Sequence, residues 1–120
     1  MTMVWSIEFY ESGKRKYPVE EFINSLEVKS QARIARTFDL LEEFGIDLGM
    51  PYTKYLEKRL WDLRIRVGRN RYRIIYFLPG GKTIILLHGF SKKTDAVPRA
   101  DIEISKNRHD DYLSRRRKGI

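Results

Sequence analysis

The stretch LWDLRIRVGRNRYRIIYFLPGGKTIILLHGF, residues 60–90, decides the fold. From Leu60 onward the apolar residues recur at every second position: Trp61, Leu63, Ile65 and Val67 alternate with Asp62, Arg64 and Arg66. A period of two belongs to a β-strand, because successive side chains leave the backbone on opposite faces. This strand therefore has an apolar core face and a cationic outer face. Residues 68–70 (GRN) predict a turn, residues 71–78 (RYRIIYFL) the next strand, and residues 79–82 (PGGK) a hairpin turn. Residues 83–90 (TIILLHGF) form a last strand apolar enough to be largely buried. Three consecutive strands joined by such short turns imply an antiparallel meander. The arginine-bearing faces of its first two strands then lie side by side on an exposed surface.

Outward from the meander, the remaining elements follow from local signals. Residues 4–10 (VWSIEFY) are rich in β-branched and aromatic types and predict a first strand. Residues 11–16 form a polar turn with Gly13. Pro18 opens a helix with Glu20 and Glu21 in its first turn, where the helix dipole favours acids; Phe22, Ile23 and Leu26 are its apolar stripe. A second helix is expected from Ser30 as N-cap to Gly45 as stop, with Ile34, Phe38 and Leu41 on one face and Phe44 nearby. Residues 46–55, with Gly49 and Pro51, predict a loop, as do residues 91–97. Pro98 starts a third helix running to about residue 113, with Ile102, His109 and Tyr112 on one face. The order β-α-α-β-β-β-α is an α+β layout, with helices packed on one small antiparallel sheet. A length of 120 residues fits one domain, 1–120, in which 114–120 reads as a basic tail.

Composition excludes several classes. No apolar run approaches the length of a membrane span, and the first ten residues lack the pattern of a signal peptide. The chain has no cysteine, which removes disulfides and thiolate metal sites and fits a reducing cytoplasm. His88 and His109 are its two histidines, too few for a histidine-based metal site. Neither a metal nor another cofactor is expected.

Charge is concentrated. Between residues 63 and 94 there is no Asp or Glu, while Arg64, Arg66, Arg69, Arg71, Arg73, Lys82, Lys92 and Lys93 fall there. The flanking segments carry −2 and +2, so this block alone accounts for the net charge of +8. Dense charge of one sign repels itself, and a partner that neutralises it is the usual reason to keep it. Phosphate suits the role, because the planar guanidinium fork matches its oxygens. A solvated basic surface is the plainer alternative.

Cutting RNA without a metal needs a group to take the 2′-OH proton, a group to hold charge on the pentacoordinate phosphate, and a group to protonate the leaving 5′-oxygen. Arg64 and Arg73, on neighbouring strands, are the candidate phosphate clamps, with Arg66 and Arg71 as flanking substrate-binding cations. Lys92 and Lys93 follow the last strand. A lysine crowded by arginines loses affinity for its proton and becomes a usable base. His88 is either an acid–base group or a satisfied structural residue. Tyr72, Tyr76 and Phe90 either stack on unpaired bases or belong to the core.

The segments YPVEEFINSL (17–26), RIARTFDLLEEFG (33–45), LWDLRI (60–65), YRIIYF (72–77), LLHGFSKKTDAVP (87–98) and HDDYL (109–113) resemble the phage-derived, HigB-like branch of the RelE/ParE superfamily of toxins. The resemblance spans residues 4–113 and is most specific in LLHGFSKKT. It implies a small antiparallel sheet flanked by helices and a ribosome-dependent endoribonuclease that cuts mRNA through basic residues. Carried onto this chain, it implicates Arg64 of LWDLR, Arg73 of YRIIY, Lys92 and Lys93 of SKKT and, more weakly, His88 of LLHGF. The family often has Glu where this chain has Asp62. The resemblance also implies an antitoxin with a helix-turn-helix domain that covers the basic surface. Two other functions fit the same residues: a non-catalytic toxin that poisons DNA gyrase, as in the ParE type, and a basic nucleic-acid-binding phage accessory protein.

Overall fold

A computed structural model describes residues 4–93 and 96–118. Its elements are β1 (Ser6–Phe9), α1 (Pro18–Asn24), α2 (Val28–Phe44), a short 3₁₀ turn at Gly45–Asp47, β2 (Thr53–Glu57), β3 (Leu60–Val67), β4 (Asn70–Gly80), β5 (Thr83–Ser91) and α3 (Arg99–Lys118). They form one five-stranded sheet in the order β1-β5-β4-β3-β2. Strands β2 to β5 are antiparallel neighbours, as the meander requires, and β1 pairs parallel to β5. The architecture is the expected α+β sheet with three helices packed on it, plus one strand more.

The additional strand is β2, in a segment expected to be loop as far as residue 55. Thr53 pairs with Leu63 and Tyr55 with Trp61, and the Tyr55 ring meets Trp61 edge-on at 5.2 Å. A bulge after Tyr55 and left-handed Lys58 and Arg59 interrupt its alternation within five residues. Too little periodicity is left to outweigh the Gly49 and Pro51 signals. Strand β2 exists because the outer edge of β3 supplies a partner, a tertiary cause.

Alternation divides the core into two layers. Helices α1 and α2 place Val19, Ile34 and Leu41 against Leu63, Ile65, Ile74, Ile84 and Leu86 on one face of the sheet. Helix α3 places Ile102, with Tyr112 and Leu113, against Ile75, Phe77, Ile85 and Leu87 on the other. Leu63, Ile74 and Leu86 are fully buried, each worth about 1.5–3 kcal/mol relative to exposure.

Local signals act largely as expected at the helix ends. Pro18 is the first helical residue of α1, with Glu20 and Glu21 in the first turn. Gly45 caps α2 at φ +53°, and a Cβ there would lie 2.0 Å from Trp5 Nε1, so both conformation and space demand glycine. Ser30 is a correction. Helix α2 begins at Val28, and Ser30 is buried inside it with its hydroxyl 3.0 Å from the Tyr72 hydroxyl. A serine can satisfy a buried phenol as readily as a helix end. Helix α3 continues to Lys118, past the expected end near 113, so most of the expected tail is helical; residues 119–120 lie outside the described residues. No helix among the described residues is long and apolar enough to cross a membrane.

Candidate phosphate-binding site

Register builds the site. On the face shared with α3, β3 presents Asp62, Arg64 and Arg66, and β4 presents Arg71, Arg73 and Ile75. The pairs are Asp62–Ile75, Arg64–Arg73 and Arg66–Arg71. Helix α3 packs on β5 and β4, over Ile75 and Phe77, and the arginine end of the face is left open. Arg66 is exposed there, and Arg64 and Arg71 are half-buried.

An open pocket of about 500 Å³ forms at this end and reaches around the outer edge of β3 to the α2 side of the sheet. Arg64, Ile65 and Arg66 of β3 line it, with Arg71 and Arg73 of β4, Pro51 and Tyr52 before β2, and Arg33 and Thr37 of α2. It forms where β2 gives out: the Arg64 N–H donates to the Tyr52 carbonyl at 2.8 Å, and beyond that point β3 is paired only with β4. Five guanidinium-bearing side chains therefore meet at one cavity, and no carboxylate is among its described lining residues. Such a wall attracts a polyanion and holds its phosphates by charge-assisted hydrogen bonds.

Arg73 is placed differently from the open clamp expected of it. It is 5% exposed, and its Nη1 donates to Asp62 Oδ2 at 2.8 Å. Asp62 is 1% exposed, and its Oδ1 has no hydrogen-bond partner among the described residues. Burial pushes the Asp62 carboxyl above its ordinary range, against the pull of Arg73, Lys92 and Arg64. Burial likewise lowers the proton affinity of Arg73, which Asp62 opposes. Arg73 thus forms the floor of the pocket and Arg64, Arg66 and Arg71 its accessible wall.

The two lysines separate. Lys92 is buried, its N–H donates to the Arg71 carbonyl at 2.8 Å, and its charge reaches Asp62. Lys93 is exposed. Residues 94 and 95 of the expected loop lie outside the described residues.

His88 has no nitrogen left for acid–base work. Its Nε2 lies 2.7 Å from Asp101 Oδ1 and its Nδ1 3.3 Å from Arg108 Nη1, which also donates to the Leu87 carbonyl at 2.8 Å. Burial lowers its proton affinity, so the neutral ring donates from Nε2 to Asp101 and accepts at Nδ1 from Arg108. This histidine ties β5 to α3, the structural alternative of the two weighed for it. Tyr76 is also core: it is 2% exposed, its hydroxyl bonds the Thr53 side chain, and burial raises its pKa. Tyr72 is buried beneath α2. Phe90, half-buried and stacked on His88 at 5.4 Å, is the one of the three proposed stacking rings with an accessible surface.

Sequence reasoning missed Asp62, Arg33 and Tyr52. Asp62 stands one residue outside the acid-free block and was counted with the acidic segment before it. Arg33 and Tyr52 reach the pocket through tertiary packing that no local pattern announces.

A family model described as Phage derived protein Gp49-like (DUF891) matches residues 21–110. No curated protein matches the chain. The match takes in the second half of α1, all of α2, the whole meander with its arginine-lined pocket and more than half of α3, and the chain belongs to this family of phage-derived Gp49-like proteins.

Proposed function

We propose that this chain is the toxin of a type II toxin–antitoxin pair, of the HigB-like branch of the RelE/ParE superfamily, and that it cleaves mRNA on the ribosome. The observation that carries this reading is the convergence of Arg33, Arg64, Arg66, Arg71 and Arg73 on one open pocket. The reaction is an in-line attack of a ribose 2′-oxygen on the adjacent phosphorus. The P–O5′ bond breaks, leaving a 2′,3′-cyclic phosphate and a 5′-hydroxyl end. Arg64, Arg71 and Arg73 hold the charge that grows on the equatorial oxygens, from strands too rigid to need rearrangement. Arg66 and Arg33 hold the neighbouring backbone. Lys92, whose backbone N–H bonds the Arg71 carbonyl, and the exposed Lys93 after it are the groups proposed to take and return the proton. Tyr52 and Phe90 offer ring faces to unpaired bases. An antitoxin carrying a helix-turn-helix domain covers the cationic surface until it is removed, and both proteins act in the cytoplasm.

Induced expression followed by mapping of mRNA 5′ ends tests the reading. Growth arrest with new 5′-hydroxyl ends inside translated frames is expected. Arrest with intact transcripts contradicts it, and DNA breaks without RNA cuts would assign the chain to the gyrase-poisoning toxins instead.

A further inference from the structure

Beneath the pocket lies a buried anion that the proposed reaction has not used. Asp62 is 1% exposed on β3, two residues before Arg64. One carboxylate oxygen receives Arg73 Nη1 at 2.8 Å, and the other has no hydrogen-bond partner among the described residues. Burying a carboxylate with an unsatisfied oxygen is costly. A pair of this kind is often replaced by apolar residues with a gain in stability. The strand itself offers that alternative, since Ile75 faces Asp62 across the ladder and Leu60 precedes it on the same face. Packing therefore does not account for a carboxylate at this position.

Its partners do. A guanidinium carries five N–H donors in a fixed plane. Asp62 engages Nη1, which tethers one corner of the group and leaves the other donors of a residue that itself lines the pocket. Lys92 and Arg64 lie close enough to feel the same negative charge. Without an anion, Arg73 would sit buried between Arg64 and Arg71, whose charges oppose its own, and it would turn outward to water.

We propose that Asp62 is the positioning residue of this site: it holds the Arg73 guanidinium in the pocket floor, with its free N–H groups set to receive an RNA phosphate. The inference rests on the phosphate-pocket reading above and adds to it the residue that preorganises the pocket. The carboxylate never touches substrate and acts only through Arg73.

The test follows the Arg73 guanidinium directly. Arginine side-chain N–H signals are recorded by NMR for wild type, Asp62→Asn, Asp62→Glu and Arg73→Lys, before and after addition of an all-deoxy tetranucleotide that cannot be cleaved. In wild type the Arg73 Nη signals are resolved, because the pair stops rotation of the group, and they shift on addition of the oligonucleotide. In Asp62→Asn, which keeps the shape and removes the charge, the signals collapse to an average and the shift disappears. Asp62→Glu recovers both in part. Arg73→Lys keeps a cation for Asp62 but lacks the fork, and its oligonucleotide affinity falls about tenfold, the order expected for losing one bidentate phosphate contact. An Arg73 response in Asp62→Asn equal to that of wild type overturns the inference and leaves the pocket reading standing. No arginine response in wild type overturns both. A wild-type response without RNA cleavage refutes the nuclease while the positioning role survives.

Discussion

The two halves of the sheet face shared with α3 are built from the same strands and treated in opposite ways. Under the helix, Ile75, Phe77 and Leu87 pack with Ile102, and His88 has both ring nitrogens satisfied by Asp101 and Arg108. Beyond the helix, the next residues on the same strands are Arg64, Arg66, Arg71 and Arg73, and the one carboxylate among them is buried beneath the surface. Covered polar groups are paired and neutral within the chain. In the uncovered half, four arginines stand with one carboxylate among the described residues, the buried Asp62. The helix thus divides one face into a structural half and a site.

The largest expected effect is where the halves meet. Arg73→Ala leaves Asp62 buried without its partner, and loss of one member of a buried pair costs about 3–5 kcal/mol. Urea unfolding measures this, and RNA cleavage is lost as well. An Arg73→Ala protein as stable as wild type would show that the pair does not hold the floor of the pocket. Under the helix, Phe77→Ala removes the ring against which His109 packs at 4.5 Å and Tyr112 at 5.5 Å. It should cost a similar 3–5 kcal/mol or so, while cleavage per folded molecule is unchanged. Stability and activity therefore separate across the line drawn by α3, and loss of both in Phe77→Ala would erase that line.

A smaller effect concerns acid. The folded protein holds a proton on His88 less tightly than the unfolded chain does, because burial opposes the charge. As pH falls below roughly 6.5, the unfolded chain protonates first, so stability declines until the folded imidazole titrates; above that pH this contribution is constant. His88→Gln should flatten the decline in thermal melts taken across this range, without changing the cleavage rate. A rate that falls with the substitution would return His88 to the chemistry. Smallest of all, Arg66→Ala, at the exposed rim, should weaken RNA binding severalfold and reduce the slope of log K against log salt by about one. An unchanged slope would place Arg66 outside the phosphate track.

Much of this division is legible in the sequence. The alternation of Trp61, Leu63, Ile65 and Val67 with Arg64 and Arg66 specifies the two faces, and the GRN and PGGK turns specify the meander. What the sequence does not carry is where α3 ends over the sheet. That boundary determines why His88 is held by Asp101 and Arg108 while Arg64 meets only the weak sulfur acceptor of Met50 among the described residues. Arg73 shows the same limit: its position in the cationic row is plain, but its burial depends on the carboxylate of Asp62, and Arg33 joins the pocket from a helix far earlier in the chain. Gly89 is likewise set by packing, since a Cβ there would lie 2.5 Å from the Phe22 ring of α1.

On the proposed reading, the open half of this face receives the scissile phosphate. Purified wild-type and Arg64→Ala proteins acting on an mRNA held in a programmed ribosome test it most directly. Wild type should give a 2′,3′-cyclic phosphate product and Arg64→Ala a rate about 100-fold lower, the size of loss expected when one donor to a developing oxyanion is removed. Cleavage by Arg64→Ala at the wild-type rate, or no cleavage by wild type, would contradict it.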